Sequence, residues 1–248
     1  MHHLFADDAW SSENRRRLEI RGDNYHHIVH VLRMREGDEV SVSFPEDPAE
    51  YRYGIEAITA EEVLCTLRFV KEEGLELSSK IYLFQGLPKG DKMELIVQKA
   101  VELGAFEVIP VKMRRCVAKW DEKKTASRLK RLQAVAEAAA GQARRGIIPR
   151  VQMPMTMKEA LHYAEANSER ILLPYELAEG MDRTRTIIGQ LEKGQNLSVF
   201  IGPEGGFAEE EVAAAVAAGA QPITMGRRIL RTETAGFTIL SWLMYQLE

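Results

Sequence analysis

Two glycine-bearing segments near the carboxyl end of the chain constrain its fold more than any other feature. The first, GPEGGFAEEEV, covers residues 202–212, and the second, GRRILRTETAG, covers residues 226–236. Each follows a short apolar run typical of a buried strand, at 197–201 and 222–225, and each precedes a helical pattern. In an open α/β sheet, ligands bind beyond the carboxyl ends of the strands. The two segments therefore predict one small-molecule site built largely from backbone groups.

From residue 80 onward, apolar strand-like runs alternate with segments of helical spacing. Further strands are predicted at 81–87, 106–111 and 170–176. Asp91 with Glu94, and Thr156 with Glu159, have the three-residue spacing of capping boxes, which begin helices. This alternation predicts an α/β domain with a mostly parallel sheet and helices on both faces.

The first part of the chain has a different pattern. Residues 39–44, 51–59 and 61–70 show partial alternation of apolar and polar residues, with close turn signals between them. Several short strands with tight turns predict a small β-barrel. A composition change near 72–74 predicts a boundary, with one domain at 1–72 and a second at 73–248.

Net charge changes sign along the chain. The total is −4 over 248 residues, but residues 73–150 carry 16 basic and 9 acidic side chains, a net of +7. The flanking segments 1–72 and 151–248 have nets of −6 and −5. A basic segment on an acidic protein is expected where a protein binds a phosphate backbone, although a solvated helix face gives the same composition.

The glycine segments lack the common phosphate-binding signatures. No two glycines have G-x-G spacing and no glycine precedes a lysine, so neither the dinucleotide fingerprint nor the P-loop is present. Glu209, Glu210 and Glu211 occupy the first turn of the following helix, where a phosphate would otherwise bind. A nucleoside-type ligand held by main-chain groups fits better, and a pair of purely structural turns is the alternative.

The second glycine segment is basic. It contains Arg227, Arg228 and Arg231, and an arginine at the carboxyl end of a strand can bind a carboxylate or a phosphate through two hydrogen bonds. The alternative for Arg231 is a surface ion pair with Glu233.

Other features set limits on function. His26, His27 and His30 cluster without a cysteine or carboxylate to complete a ligand set, so we expect no metal. Cys65 and Cys116 have no metal-type spacing and favour a reducing cytoplasm. The sequence offers no signal peptide and no apolar run of about 18 residues, so no membrane span is expected. The last helical pattern is apolar nearly all round, which predicts burial in the core or, as we favour, in a dimer interface.

Taken with residues 89–111, KGDKMELIVQKAVELGAFEVIPV, the two glycine segments resemble the ribosomal RNA small-subunit methyltransferase E family. The resemblance extends over essentially the whole chain, including HHIVHVLRMREGD at 26–38 and the basic segment 114–149. One departure is the extreme amino end, MHHLFADD, where the family usually has an arginine.

That resemblance implies a SPOUT-type, trefoil-knotted α/β methyltransferase domain with a parallel sheet, preceded by a small PUA-like β-barrel that binds RNA. It further implies S-adenosylmethionine as cofactor, 16S ribosomal RNA of the small subunit as partner, methylation at N3 of one specific uridine, and a homodimer. The alternatives are a SPOUT enzyme for another ribosomal or transfer RNA nucleotide, an RNA-binding assembly factor that holds the cofactor without turnover, and an enzyme acting on a small nucleotide.

The resemblance also assigns roles to individual residues. Arg231 is the candidate that stabilises charge on the uracil oxygens or orients the cofactor carboxylate, and Glu204 is a candidate base or structural cap. The expected cofactor pocket consists of Leu172, Leu173, Pro174, Ile201, Gly202, Pro203, Gly205, Gly206, Met225, Gly226, Ile229, Leu230 and Arg231. The expected RNA-binding side chains are Arg33, Lys89, Lys92, Lys99, Arg114, Arg115, Lys119, Arg144 and Arg145.

Overall fold

The computed structural model describes residues 2–12, 14–44, 47, 49–71, 75–178 and 180–248, apart from the side chains of residues 122 and 123. The chain divides into two compact units, one formed by residues 1–76 with 140–148 and the other by 77–139 with 149–248. The predicted boundary at 72–73 lies outside the described residues and stays a prediction. None of the helices in the described ranges is long and apolar enough to cross a membrane.

The first unit is built on a six-stranded, mostly antiparallel sheet. Its strands are β1 (His2–Phe5), β2 (Ser11–Ser12), β3 (Arg17–Ile20), β4 (Glu39–Ser43), β5 (Glu50–Ile58) and β6 (Val63–Lys71). They lie in the order β1-β4-β5-β6-β3-β2, and only the β1–β4 pair is parallel. Two register shifts between β5 and β6, of the kind that bend and twist a strand, fall at 52–53 and 55–57.

A short helical segment packs into the core of this first unit. It consists of α1 (Gly22–His26) followed by one π-helical turn at His27–Val31. Ile28 is fully buried and joins the apolar cluster that includes Leu18, Val40 and Tyr53. The spacing of apolar residues does not specify a π turn, which differs from an α turn by one residue in its hydrogen bonding.

The second unit contains the predicted parallel sheet. Its strands are β7 (Ile81–Gly86), β8 (Glu107–Lys112), β9 (Arg150–Val151), β10 (Met155–Thr156), β11 (Arg170–Pro174), β12 (Leu197–Ile201) and β13 (Gln221–Ile223). Their order is β10-β8-β7-β12-β11-β13, with β9 also pairing with β8, and every pair is parallel. Strands covered on both faces are continuous apolar runs, and β7 and β12 are buried at every residue.

Within the described ranges, five helices lie between these strands in sequence and a sixth follows the last strand. They are α2 (Lys92–Glu102), α3 (Glu122–Ala143), α4 (Met157–Asn167), α5 (Met181–Gly189), α6 (Glu209–Ala217) and α7 (Thr232–Leu247). The capping box predicted for α4 is confirmed, with the Thr156 hydroxyl accepting from the Glu159 amide. The box predicted at Asp91 is wrong, because the backbone of Asp91 is not extended and its side chain makes no cap hydrogen bond. The Asp91 carbonyl accepts from the Glu94 amide instead.

Candidate cofactor pocket

A cavity of about 520 Å³ lies at the carboxyl ends of β11, β12 and β13 in the second unit. The loop 202–208, the loop 224–231 and the first turn of α7 form its walls, as the two glycine segments predicted. The cavity has the size of a small-molecule site, which spans about 300–1,000 Å³. Of the expected pocket residues, all line the cavity except Leu172 and Leu173.

Leu172 and Leu173 come directly before the last residue of β11 and do not line the cavity. Both are fully buried in β11, which has β12 on one side and β13 on the other. Only Pro174, at the end of the strand, contributes to the cavity wall. Neither leucine lines the cavity, because a strand in a sheet covered on both faces exposes its end and not its middle, and their contact with the cofactor stays a prediction.

The loop after β12 is held in a tight turn. The Gly206 amide donates to the Pro203 carbonyl at 2.9 Å, and Gly206 has a φ of +69°, a conformation that favours glycine. A Cβ atom at Gly206 would lie 2.8 Å from Glu176 Oε1. On its other side, the loop presses against the end of β7, where a Cβ at Gly86 would lie 2.7 Å from Pro203. Because its glycines have no side chains, the main chain of this loop lines the cavity directly.

Glu204 is fastened to a neighbouring loop. Its Oε1 accepts from Lys92 Nζ at 3.0 Å and from the Lys89 amide at 3.1 Å. Burial alone raises the pKa of Glu204, but hydrogen bonds from its own amide, Lys92 and Lys89 outweigh burial and lower the pKa below its ordinary value. An anchored carboxylate with a lowered pKa is a weak proton acceptor, so the geometry favours the structural role for Glu204.

Arg231 presents an uncommitted cation at the rim of the cavity. It is exposed and precedes α7, and its carbonyl accepts from the Ala235 amide at 2.8 Å. Within the described residues its guanidinium makes no hydrogen bond or ion pair. The alternative of a surface pair with Glu233 is wrong, because Glu233 lies 3.3 Å from Lys92 instead. A free guanidinium at this place can meet negative charge that develops on a ligand.

The side chains expected to bind RNA differ in their availability. Arg33 and Arg144 in the first unit, and Lys89 and Lys119 in the second, are exposed. Three others are engaged locally: Lys99 with Glu102, Arg114 with Glu210, and Arg115 with the Gly205 carbonyl. Each of these is a surface contact that leaves donors available.

Arg145 is the exception among them. It is 5% exposed, and its guanidinium donates to both oxygens of Glu76, at 2.8 and 2.6 Å. A buried guanidinium committed to a carboxylate does not reach a phosphate backbone, so its position corrects the expectation that Arg145 contacts RNA. The arginine next to it, Arg144, is the exposed member of the pair.

Sequence reasoning missed two polar residues beneath the cavity, Gln85 and Thr232. The Gln85 amide donates to the Thr232 hydroxyl at 2.8 Å, and that hydroxyl donates to the Gly202 carbonyl at 2.6 Å. A glutamine inside the apolar run IYLFQG was the available signal. No group of three histidine, cysteine or acidic residues in the described ranges has the geometry to hold a metal ion.

Two family models match the chain. A model for an RNA methyltransferase domain matches residues 75–244, and a model for the PUA domain of RNA methyltransferases matches residues 20–68. The first match covers most of the second unit, and the second falls within the first unit.

Relatives agree over nearly the full length. Ribosomal RNA small subunit methyltransferase E from Bacillus subtilis is 36% identical over 93% of this chain and 91% of its own. The protein of the same name from Synechocystis is 31% identical over 90% of this chain and 71% of its own. A crystal structure of ribosomal RNA small subunit methyltransferase E from Neisseria gonorrhoeae bound to S-adenosylmethionine superposes with a TM-score of 0.78 at 26% identity, covering 97% of this chain and 95% of that one. The fold, the cavity and these relatives lead to one conclusion: the chain belongs to the ribosomal RNA small subunit methyltransferase E family.

Proposed function

We propose that this protein transfers a methyl group from S-adenosylmethionine to N3 of one specific uridine in 16S ribosomal RNA of the small subunit. The observation that carries the proposal is the cavity of about 520 Å³ between the two glycine loops, with the unpaired Arg231 at its rim. Family membership supports ribosomal RNA as the substrate, and the Neisseria relative with S-adenosylmethionine bound supports the cofactor.

The cavity fits the proposed cofactor in size and chemistry. Ile201, Met225 and Leu230 provide an apolar wall for an adenine ring, and the glycines Gly202 and Gly226 let the main chain line the cavity as well. No phosphate signature is present, and this cofactor has no phosphate. The cofactor supplies an activated methyl group on a sulfonium, so the protein need not supply a nucleophile.

The remaining tasks fall to side chains and backbone of this chain. Alignment of the two reactants can contribute about 7–11 kcal/mol of the barrier. Loss of the N3 proton to water would leave negative charge on O2 and O4 of the uracil, and the methyl group would then pass from the sulfonium to N3 as the S–CH₃ bond breaks. We assign to Arg231 the stabilisation of that charge, because its guanidinium lies at the rim of the cavity and makes no ion pair within the described residues.

RNA would be held largely through its phosphates. The exposed cations of the two units, Arg33 and Arg144 in the first and Lys89 and Lys119 in the second, support this. Lys92, Lys99, Arg114 and Arg115 are engaged with acidic or carbonyl partners and would add charge at the surface. Affinity for RNA should then fall steeply with salt, since each phosphate contact releases counterions.

The proposal includes a homodimer, a trefoil knot and a place in the cytoplasm. A second copy would cover apolar groups that the single chain leaves open, among them Ile229, 91% exposed, and Tyr245, 87% exposed on α7. The knot follows from family membership, and the proposed domains remain 1–72 and 73–248. The cytoplasm is where ribosomal RNA and reduced thiols such as Cys65 and Cys116 would be found together.

One experiment tests the function directly. Labelled S-adenosylmethionine and the protein are incubated with small ribosomal subunits from cells that lack this activity, and the product nucleotide is mapped by mass spectrometry. N3-methyluridine at one site is the expected product. Methylation of another nucleotide would replace the substrate, and cofactor binding without any transfer would favour the assembly-factor alternative.

A matched pair of variants tests the role of Arg231. Arg231→Ala should lower kcat by about 10²–10³-fold, the usual loss when a donor to a developing oxyanion is removed. Arg185→Ala, which removes an exposed arginine of α5 outside the cavity, should leave kcat unchanged. Wild-type turnover in Arg231→Ala at saturating cofactor and RNA would remove Arg231 from the mechanism.

A further inference from the structure

Gln85 is a polar side chain in the interior of the parallel sheet. It is fully buried at the end of β7, and every other residue of that strand is also buried. An amide in such a place costs free energy unless its groups are hydrogen-bonded, and an aliphatic side chain would fill the same space without that cost. The glutamine therefore needs an explanation other than packing.

Hydrogen bonds from Gln85 connect three elements that are far apart in sequence. Its Nε2 donates to the Gly86 carbonyl at 3.0 Å and to Thr232 Oγ1 at 2.8 Å. The single hydroxyl proton of Thr232 goes to the Gly202 carbonyl at 2.6 Å, so the direction of the chain is fixed. These side-chain hydrogen bonds thereby join the end of β7 to the start of α7 and to the start of the glycine loop.

Two of the three residues in this hydrogen-bonded chain line the cavity. Gly202 begins the loop after β12, and Thr232 is the first residue of α7, directly after Arg231. Since the Arg231 side chain has no partner within the described residues, its direction depends on the backbone that Thr232 anchors. A shift of Thr232 would move the guanidinium and the Gly202 carbonyl together.

The other half of the Gln85 amide makes no hydrogen bond. Gln85 Oε1 is buried without a partner among the described residues, beside Gly236, where a Cβ would lie 3.8 Å away. A glutamine retained for stability would be expected to satisfy both ends of its amide. Both hydrogen bonds of this amide among the described residues come from its donor end.

We propose that Gln85 is a positioning residue for methyl transfer: through Thr232 it fixes the Gly202 carbonyl for the cofactor and the start of α7 that aims Arg231. The proposal rests on the function proposed above. It differs from a packing role in a measurable way, because removal of the amide should impair function and leave the stability of the fold intact.

The first variant is Gln85→Met, which keeps the length of the side chain and removes both the useful donor and the unsatisfied oxygen. We expect an unchanged or higher Tm, several-fold weaker binding of S-adenosylmethionine by calorimetry, and a kcat lowered about 10- to 100-fold, as for a displaced catalytic group. Ser79→Ala, which removes a buried hydroxyl far from the cavity, serves as the control and should leave kcat unchanged. An unchanged kcat and cofactor affinity in Gln85→Met would overturn the proposal.

Two further measurements separate positioning from disruption. Thr232→Ser should recover most of the turnover that Thr232→Val loses, because serine keeps the hydroxyl that links Gln85 to Gly202. In an Arg231→Ala background, Gln85→Met should lower kcat much less than it does in the wild type, since its effect on kcat passes through Arg231. Equal losses in both backgrounds, or no recovery with serine, would overturn the proposal.

The test remains decisive if the proposed reaction is wrong. A wild-type protein that yields no N3-methyluridine would refute the proposed function, and Gln85 would then be judged on cofactor affinity alone. Weaker binding in Gln85→Met and Thr232→Val, with recovery in Thr232→Ser, would still support the hydrogen-bond chain, whereas equal affinities would refute it.

Discussion

Lys92, in the first turn of α2, forms an ion pair with Glu204 of the glycine loop at 3.0 Å, across 112 residues of sequence. The Lys89 amide donates to the same carboxylate oxygen, so one group of the 87–91 connection and one of α2 hold the same residue of the cavity wall. The pKa of Lys92 is raised, chiefly by its hydrogen bond with Glu204. Both partners therefore stay charged at neutral pH, and their ion pair connects the glycine loop to α2.

The first prediction concerns Glu204→Gln. The amide oxygen can still accept from Lys89 and Lys92, so we expect most of kcat to remain and cofactor binding to weaken only a few-fold. A general base, by contrast, contributes about 10²–10⁴-fold to the rate. Steady-state kcat and KM with small subunits distinguish the two roles. Glu209→Gln, an exposed change outside the cavity, is the control, and a hundred-fold loss confined to Glu204→Gln would restore the base assignment.

The second prediction is a pH dependence of cofactor affinity. Because the folded pKa of Glu204 lies below 4.5, the ionised contact is fully present above pH 4.5 and is lost as the pH falls through the lower, folded value. Calorimetry from about pH 7 to about pH 4 should show constant affinity followed by a decline at the acidic end. Glu176 lines the cavity and Glu233 contacts Lys92, so the relevant quantity is the difference between wild type and Glu204→Gln. Parallel curves for the two proteins would contradict this role.

Local sequence patterns were sufficient to predict the cavity. The two glycine segments follow β12 and β13, which lie on either side of β11, and in a parallel sheet the loops after such strands meet at one edge. The Thr156–Glu159 capping box was equally local, since it needs only a three-residue spacing and a helical pattern after it.

The contacts that hold the cavity together could not be predicted in this way. Gln85 and Thr232 are 147 residues apart, and Lys92 and Glu204 are 112 apart. Which residues meet across such sequence separations depends on the order of the strands in the sheet. The spacing of apolar residues along the chain does not specify that order. Arg145 is a further example. The basic composition of its segment predicted contact with RNA, but that contact requires an exposed side chain, and Arg145 is bonded to a carboxylate 69 residues away in sequence.

The third prediction compares two glycine substitutions. A Cβ at Gly86 would lie 2.7 Å from the ring and backbone nitrogen of Pro203, so Gly86→Ala must displace the glycine loop. We expect a loss of about 1–3 kcal/mol in the free energy of unfolding, as for overpacked cores, together with weaker cofactor binding. Gly189→Ala, at the end of α5 with nothing within 4 Å of its Cβ, is the control and should be neutral or slightly stabilising. Denaturant unfolding and calorimetry measure both effects, and equal stabilities of the two variants would show that the loop yields without cost.

The fourth prediction separates the two adjacent arginines, Arg144 and Arg145. Arg145→Ala leaves the partly buried Glu76 carboxylate without its guanidinium, and breaking a buried pair by removing one partner costs about 3–5 kcal/mol. Arg144→Ala removes an exposed charge and keeps the same backbone strain, since Arg144 has a φ of 56° and alanine gains nothing there. We therefore expect Arg145→Ala to lower the unfolding free energy of the first unit strongly and Arg144→Ala to leave it nearly unchanged.

RNA binding should show the opposite order for this pair. Arg144→Ala should weaken affinity for small subunits and reduce its dependence on salt, because one phosphate contact is lost. Arg145→Lys is the matched variant: it keeps a positive charge against Glu76 but not the two-pronged geometry, so stability should fall while the salt dependence of binding stays as in the wild type. Filter binding at several salt concentrations measures the affinity and its salt dependence, and denaturant unfolding of the same preparations measures the stability. A reduced salt dependence in Arg145→Lys at unchanged stability would return Arg145 to the RNA-binding surface.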